Sequence, residues 1–424
     1  MFNMLEIRFV DIHGTLKAMN IPISGTDISN AKKDPVFSEG VNVDGSSVEG
    51  FTPIEDSDLH LQPDPESLVE LPYTETPKLA VMCDILQRGT VFAGDTRSRL
   101  KHILKEKLEP RGWSLGVGPE PEFFLLDGDQ PIDEGEYSDI YPNAIAEGMI
   151  KRFSQHLTKL KVTPKVHHHE VGKGQYEIEL QYEKVLRAAD TIVTYKAIIR
   201  ALAAKNGYKA TFMPKPFIAE NGNGMHFHLS LWNGDKNLFA SSKVNELSDL
   251  AHKFMAGILE HAHALTALVA PTVNSYKRLV PDYEAPVYIA WAPLNRSALI
   301  RIPMFRRLDA ARIEYRCPDP SCNPYLAFIA MISAGMDGIE RDLELRPPVN
   351  KNIYRLSMKE RKDLEIETLP GNLFEALSYL KKDRVICDAL GEHIFQNFLE
   401  LKNKEWEEYS TQITDWDWKR YLNV

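Results

Sequence analysis

Four short stretches of the chain alternate charged with apolar or small residues at the two-residue period of a β-strand. They are Glu120-Pro121-Glu122, Glu177-Ile178-Glu179, His226-Phe227-His228-Leu229-Ser230 and Arg312-Ile313-Glu314-Tyr315-Arg316. On a strand, residues i and i+2 point to one side, so each run projects its charged groups together. The pattern around them predicts two strands within 5–25, about a turn at His13-Gly14, and then a loop-rich region over 34–77, dense in Pro, Gly, Ser and Asp. A strand over 79–86 leads to Asp95-Thr96, which caps a basic helix over 97–108. Beyond it the chain alternates: strand 114–126, helix 143–160, strand 175–181, helix 190–206, strand 224–232 and helix 247–269. Strand-like 287–291, 297–302 and 312–316 follow, and helices over 324–342 and 384–408 close the chain. The expected fold class is α+β, with a charged sheet face backed by helices.

At 424 residues the chain exceeds one simple core and divides into a small domain, 1–95, and a large one, 96–424. A net charge of -10 argues against a nucleic-acid partner, which needs a surplus of clustered Lys and Arg. No apolar run approaches the roughly 18 residues of a membrane helix, and Met1 to Arg8 lack the basic-then-apolar order of a signal peptide. Cytoplasmic residence and no membrane partner are therefore expected. Cys83, Cys317, Cys322 and Cys387 lack disulfide or zinc spacing and read as reduced.

Buried charge is costly unless paired or metal-bound. Acids cluster on two of the runs, imidazoles on a third and an Arg-Glu-Arg set on the fourth, a division that suggests a metal and phosphate site. Glu170 and Glu177 flank a Gly-Lys-Gly turn and add to Glu120, Glu122 and Glu314. Oxygen-rich ligation with at most one imidazole suits magnesium or manganese better than zinc. Gly222-Asn223-Gly224 lets the backbone approach a ligand ahead of His226. Arg278, Arg296, Arg301, Arg312 and Arg316 supply guanidinium forks suited to carboxylate and phosphate oxygens.

Seven segments in order carry a specific resemblance: Gly118-Pro-Glu-Pro-Glu-Phe123; His168-His-Glu-Val with Gly174-Gln-Tyr-Glu177; Asn221-Gly-Asn-Gly-Met-His-Phe-His-Leu-Ser-Leu231; Asn274-Ser-Tyr-Lys-Arg-Leu-Val-Pro281; Glu284-Ala-Pro286; Asn295-Arg-Ser297 with Ile300-Arg-Ile-Pro303; and Arg312-Ile-Glu-Tyr-Arg-Cys-Pro-Asp-Pro320. From about Ile7 to the C-terminus the chain resembles the glutamine synthetase family, bacterial and archaeal type I.

The resemblance implies a β-grasp-like N-terminal domain and a catalytic domain with a curved antiparallel sheet, a partial barrel. It implies ATP-dependent joining of glutamate and ammonium through a γ-glutamyl phosphate. By similarity, Glu122, Glu170 and Glu177 hold one divalent ion, and Glu120, His226 and Glu314 another. Asn221, Gly222, Arg278 and Arg316 grip glutamate, Arg296, Arg301 and Arg312 surround the transferred phosphoryl group, and His228, Ser230 and Arg312 face ATP. Asp44 and Glu284 match the two carboxylates that bind and deprotonate ammonium. Asp44 does so in the neighbouring subunit of two stacked six-membered rings, a dodecamer, and Glu284 lies on a flap. A ligase for a polyamine or alkylamine, or a non-catalytic structural relative, are the alternatives.

Asp282 stands where many relatives have glycine. The chain starts at its first strand, where relatives carry a helix. Tyr354 matches a tyrosine adenylylated in some relatives, but the Glu122 to Glu170 span is shorter than in those relatives. His167-His168-His169 reads as internal and structural.

Overall fold

The computed structural model describes every residue except Met1, Thr26, Asp27, Glu75, Pro77, Tyr141 and Asp282. Asp282, which stands where many relatives have glycine, thus lies outside the described residues.

Leu5, Ile7 and Phe9 alternate along the strand Phe2–Val10, and Leu79, Val81, Cys83 and Ile85 along Lys78–Gln87; all are buried. These two strands lie parallel at the centre of a seven-stranded sheet. Leu16–Gly25 pairs outside the first, and Asp58–Pro63 and then Val41–Asp44 outside the second, all antiparallel. This is the expected β-grasp domain. The stretch 34–77 was expected as loop and instead contains three strands, Val41–Asp44, Asp58–Pro63 and Val69–Leu71. Its turn-forming residues sit at strand ends, where Asp44 and Asp64 accept from the backbone N–H groups of Ser46 and Glu66. Strands of 3 to 6 residues leave the composition dominated by their turns.

Asp95 caps the next helix as expected, accepting from Arg97 N at 3.1 Å. The larger sheet then runs in the order Pro164–His169, Gln175–Leu180, Trp113–Asp127, Met225–Asn233, Ile313–Tyr315, Ile300–Ile302 and Trp291–Pro293. Neighbours are antiparallel except the last two, and short strands bring the total to eleven. The sheet curls into half a barrel. Its apolar face carries Val117, Phe227, Leu229, Ile313 and Tyr315 against the helices Val185–Lys205, Asp249–Glu260 and Pro324–Glu340. Phe227 meets Phe328 of the last helix with ring centroids 4.8 Å apart.

Three helices depart from the expected boundaries. Val185–Lys205 begins ahead of Asp190, which does not cap it. The Asp190 carboxylate is buried and accepts from Arg97 Nε at 3.0 Å and from Tyr325 Oη at 2.6 Å, tying the helix to two other elements. The expected 247–269 helix is two, Asp249–Glu260 and Ala262–Val269, broken at His261. His261 Nδ1 lies 2.6 Å from Asp383 and Nε2 3.0 Å from Asp337. The expected 384–408 helix breaks at Gly391, whose φ of 77° admits no continuous helix.

Candidate functional site

Strand alternation sorts the side chains. On Gln175–Leu180, Tyr176, Ile178 and Leu180 enter the core while Gln175, Glu177 and Glu179 face the concave side. Met225–Asn233 buries Met225, Phe227, Leu229 and Leu231 in the core, sending His226 to the concave side. Register then lines up the charged positions: His168 opposite Glu177, Glu177 opposite Glu122, Glu120 opposite His226, His228 opposite Glu314, and Glu314 opposite Arg301. Six strands thus lay one polar row across the sheet.

This row forms the floor of a cavity of about 130 Å³. It is lined by Glu120, Glu122, Glu170, Glu177, His226 and Glu314, by Asn221 and Gly222, and by Arg278, Glu284, Arg296, Arg301 and Arg316. His168, Tyr137 and Glu179 line it too. His168 therefore belongs to the site, its Nε2 2.8 Å from Glu170 Oε1, and is not merely structural. Its neighbour His169 is structural, buried with Nε2 2.8 Å from Asp133. The cue for His168 was its position two residues before Glu170 on a two-period strand.

Glu122, Glu170 and Glu177 bring carboxylate oxygens within 4.8 Å of one another. Burial, reinforced by Glu170, pushes the Glu122 carboxyl up to about 8. Burial also drives Glu177 well above the usual carboxylate range, with Glu120 and Glu122 adding to it. Among the described residues the Glu177 carboxylate has no hydrogen bond or ion pair. Glu122 Oε2 accepts from Gln175 Nε2 at 3.0 Å and from Gly224 N at 2.8 Å. A Cβ on residue 224 would sit 2.8 Å from His226 Nε2 and 2.9 Å from Arg278 Nη2, so a larger residue would push both side chains from these positions. Glu122 and Glu177 are buried with no ion pair among the described residues, and Glu170 is half-buried against His168; this all-oxygen trio fits a hard divalent cation.

A second group lies beside it. Glu120, His228 and Glu314 also offer donors within 4.8 Å of one another. His226 Nδ1 stands 3.8 Å from Glu120 and 3.6 Å from Glu314, so both imidazoles reach this acid pair. Burial, and next Arg316, lower His226 to about 4, which keeps its ring neutral and able to ligate. Burial alone would raise Glu314, but Arg316 and its neighbours reverse this and hold it at about 2.

The arginines flank these acids. Arg316 Nη1 donates to Glu314 Oε1 at 2.7 Å, and Arg301 Nε donates to Oε2. Arg316 Nε is buried with no hydrogen-bond partner among the described residues. Arg278 donates to the carbonyls of Cys317 at 2.8 Å and Arg316 at 3.2 Å, leaving its charge without a carboxylate among those contacts. Arg296 is exposed at the rim.

His228, Ser230 and Arg312 open instead onto an adjoining cavity of about 440 Å³, shared with Glu120 and Glu179. Arg312 Nε donates to His228 Nδ1 at 3.1 Å, and His228 Nε2 lies 2.6 Å from Glu120. Sequence reasoning missed Tyr182, Trp232 and Arg307, which line the same cavity; the two rings stand 5.6 Å apart. Trp232 follows Ser230 at the strand period and was legible in principle. Asp44 lines neither cavity. It is exposed at the end of Val41–Asp44, and hydrogen bonds from Ser46 and Ser47 hold its carboxyl below the usual range. Tyr354 is half-buried and donates from Oη to the carbonyl of Ala285 at 2.7 Å, beside Glu284.

Residues 1–88 match the glutamine synthetase β-grasp domain family, and residues 93–421 the glutamine synthetase catalytic domain family. Glutamine synthetase of Thermotoga maritima is 47% identical over 99% of this chain and 96% of its own length. That of Methanocaldococcus jannaschii is 45% identical over 99% and 94%. Among solved structures, GmaS in complex with ADP superposes with a TM-score of 0.90 at 32% identity, covering 100% of this chain and 97% of the other. Plasmodium falciparum glutamine synthetase superposes with a TM-score of 0.86 at 24% identity over 99% and 96%, a likeness of fold. With both domain families matched in order and relatives of this identity along its whole length, the chain belongs to the glutamine synthetase family.

Proposed function

We propose that the protein is a glutamate–ammonia ligase, forming glutamine from glutamate, ammonium and ATP. The observation that carries this reading is one sheet face on which a carboxylate trio, two of its members buried without an ion pair among the described residues, adjoins a set of arginines around a small cavity. Family membership supports it.

In this reading Glu122, Glu170 and Glu177 hold one Mg2+ or Mn2+, and Glu120, His226 and Glu314 a second. Such ions bind nucleotide phosphate oxygens and draw charge off the leaving group. His228, Ser230 and Arg312 hold ATP in the adjoining cavity. Asn221, Gly222, Arg278 and Arg316 orient glutamate, and the unsatisfied Arg316 Nε is a donor ready for its carboxylate. The side-chain carboxylate of glutamate attacks the terminal phosphorus as the bond to ADP breaks. Arg296, Arg301 and Arg312 stabilise the charge on the transferring group. Asp44 and Glu284 bind ammonium and take its proton, because only neutral ammonia attacks the acyl carbon and expels phosphate.

The exposed Asp44, which lines neither cavity of its own chain, supports an assembly in which it completes a neighbour's site, in stacked hexameric rings. We place the domain boundary at 95/96, between the cap Asp95 and its helix. No helix among the described residues is long and apolar enough to cross a membrane, and residence in the cytoplasm completes the proposal. An acceptor panel with ATP, Mg2+ and glutamate tests it: ammonium supports the fastest phosphate release, and a faster alkylamine or polyamine overturns it.

A further inference from the structure

Glu284 sits on the loop between the helix Ser275–Arg278 and the strand Tyr288–Ile289. Its φ of 55° lies in the left-handed region that a residue with a Cβ adopts at a cost. Three contacts hold this loop from outside. Arg316 Nη2 donates to the Glu284 carbonyl at 3.2 Å, and Tyr354 Oη to the Ala285 carbonyl at 2.7 Å. The third is the ammonium of Lys215, with Nζ 3.8 Å from the centroid of the Tyr283 ring.

Lys215 is itself fixed. It is 8% exposed. Its N–H donates to Asn274 Oδ1 at 2.7 Å, and Asn274 Nδ2 donates back to the Lys215 carbonyl at 3.1 Å. Its Nζ donates to the Glu220 carbonyl, one residue before Asn221. A buried ammonium needs compensation, and the electron-rich face of Tyr283 supplies part of it. Tyr283 and Glu284 line the reacting cavity, whereas Lys215 does not.

We propose that Lys215 is a positioning residue, a cationic latch that holds the Tyr283 ring and thereby seats the Glu284 carboxylate over the cavity. The inference rests on the ligase reading. With the latch shut, the acyl phosphate meets ammonia; with it loosened, water reaches the intermediate and phosphate is released without amide. In the unproductive branch water adds its oxygen to the acyl carbon, phosphate leaves, and glutamate is regenerated.

The test compares wild type, K215M, K215R, Y283F, Y283L and the K215M/Y283L pair as full-length assembled protein. Phosphate and glutamine are measured together at saturating ammonium, and hydrogen exchange is followed at the amides of residues 283–285. In K215M the phosphate released per glutamine rises from one to about two or more, and exchange at those amides quickens about two- to thirtyfold, the range a cation–π contact supports. K215R and Y283F, which keep a cation and a ring face, stay near wild type. The double variant is no worse than the worse single one. One-to-one coupling in K215M, or unchanged loop exchange, overturns the latch. So does equal loss of every partial reaction with faster exchange throughout the helix Val185–Lys205, the mark of general destabilisation. Wild type that makes no glutamine removes the ligase reading instead, and the exchange comparison then decides the latch alone.

Discussion

Arg316 and Glu314, two residues apart on one strand face, are joined at 2.7 Å with side chains 4% and 1% exposed. Removing the carboxylate strands a buried guanidinium. Glu314→Ala is expected to lose glutamine synthesis by at least about a thousandfold and to lower stability by about 3–5 kcal/mol. Glu314→Gln keeps the shape, folds and assembles, yet stays inactive because an amide is a poor ligand for a hard cation. Steady-state rates and urea midpoints of the two variants check this.

The raised Glu122 carboxyl makes metal-free stability depend on pH. The native state holds its proton up to about 8, while the unfolded chain loses it near 4.5. The stabilising contribution is therefore complete below 4.5 and falls as pH rises through 8. Thermal unfolding in chelator is expected to show this decline, and Glu122→Gln to flatten it. Excess Mg2+ restores stability most at the alkaline end, by about 2.7 kcal/mol at a hundredfold excess over Kd.

Asp44 stands apart from the reacting cavity of its own chain. Asp44→Ala should spare hydroxylamine-trapped acyl phosphate more than glutamine. Mixing dissociated Asp44→Ala and Arg301→Ala subunits should restore a minority of wild-type activity, because some neighbouring pairs then carry one intact site. No recovery in verified mixed oligomers rejects the shared site.

His261 bridges Asp383 and Asp337 from the break between two helices. Burial works to lower its pKa, but the hydrogen bonds its ring donates to Asp383 and Asp337 win and raise it above 6.5. Its contribution is thus full below the unfolded value and lost as pH rises through the folded one. His261→Asn should cost roughly 1–3 kcal/mol at pH 6, and the gap to wild type should narrow by pH 9 in urea titrations.

The two-residue period made it legible that Glu120 and Glu122, or Glu314 and Arg316, share a face. It could not say which strands are neighbours, because register between distant segments is set by turns and the whole core. Hence the second imidazole beside Glu120 and Glu314, that of His228, emerges only from pairing with both flanking strands. Helix ends were misread where tertiary contacts override local signals: Asp190 has the chemistry of a cap but is drawn inward by Arg97. The short strands of 34–77 were hidden by the turn residues between them. Family resemblance, rather than periodicity, singled out Asp44.

Because the polar row crosses six strands at fixed register, chain length there is as constrained as residue type. One extra residue within Met225–Asn233 would send His226 and His228 into the packing against Phe328 and turn Phe227 toward the reactants. Homologues should accordingly vary in length at the connections between these strands while keeping the strands themselves free of insertions and deletions.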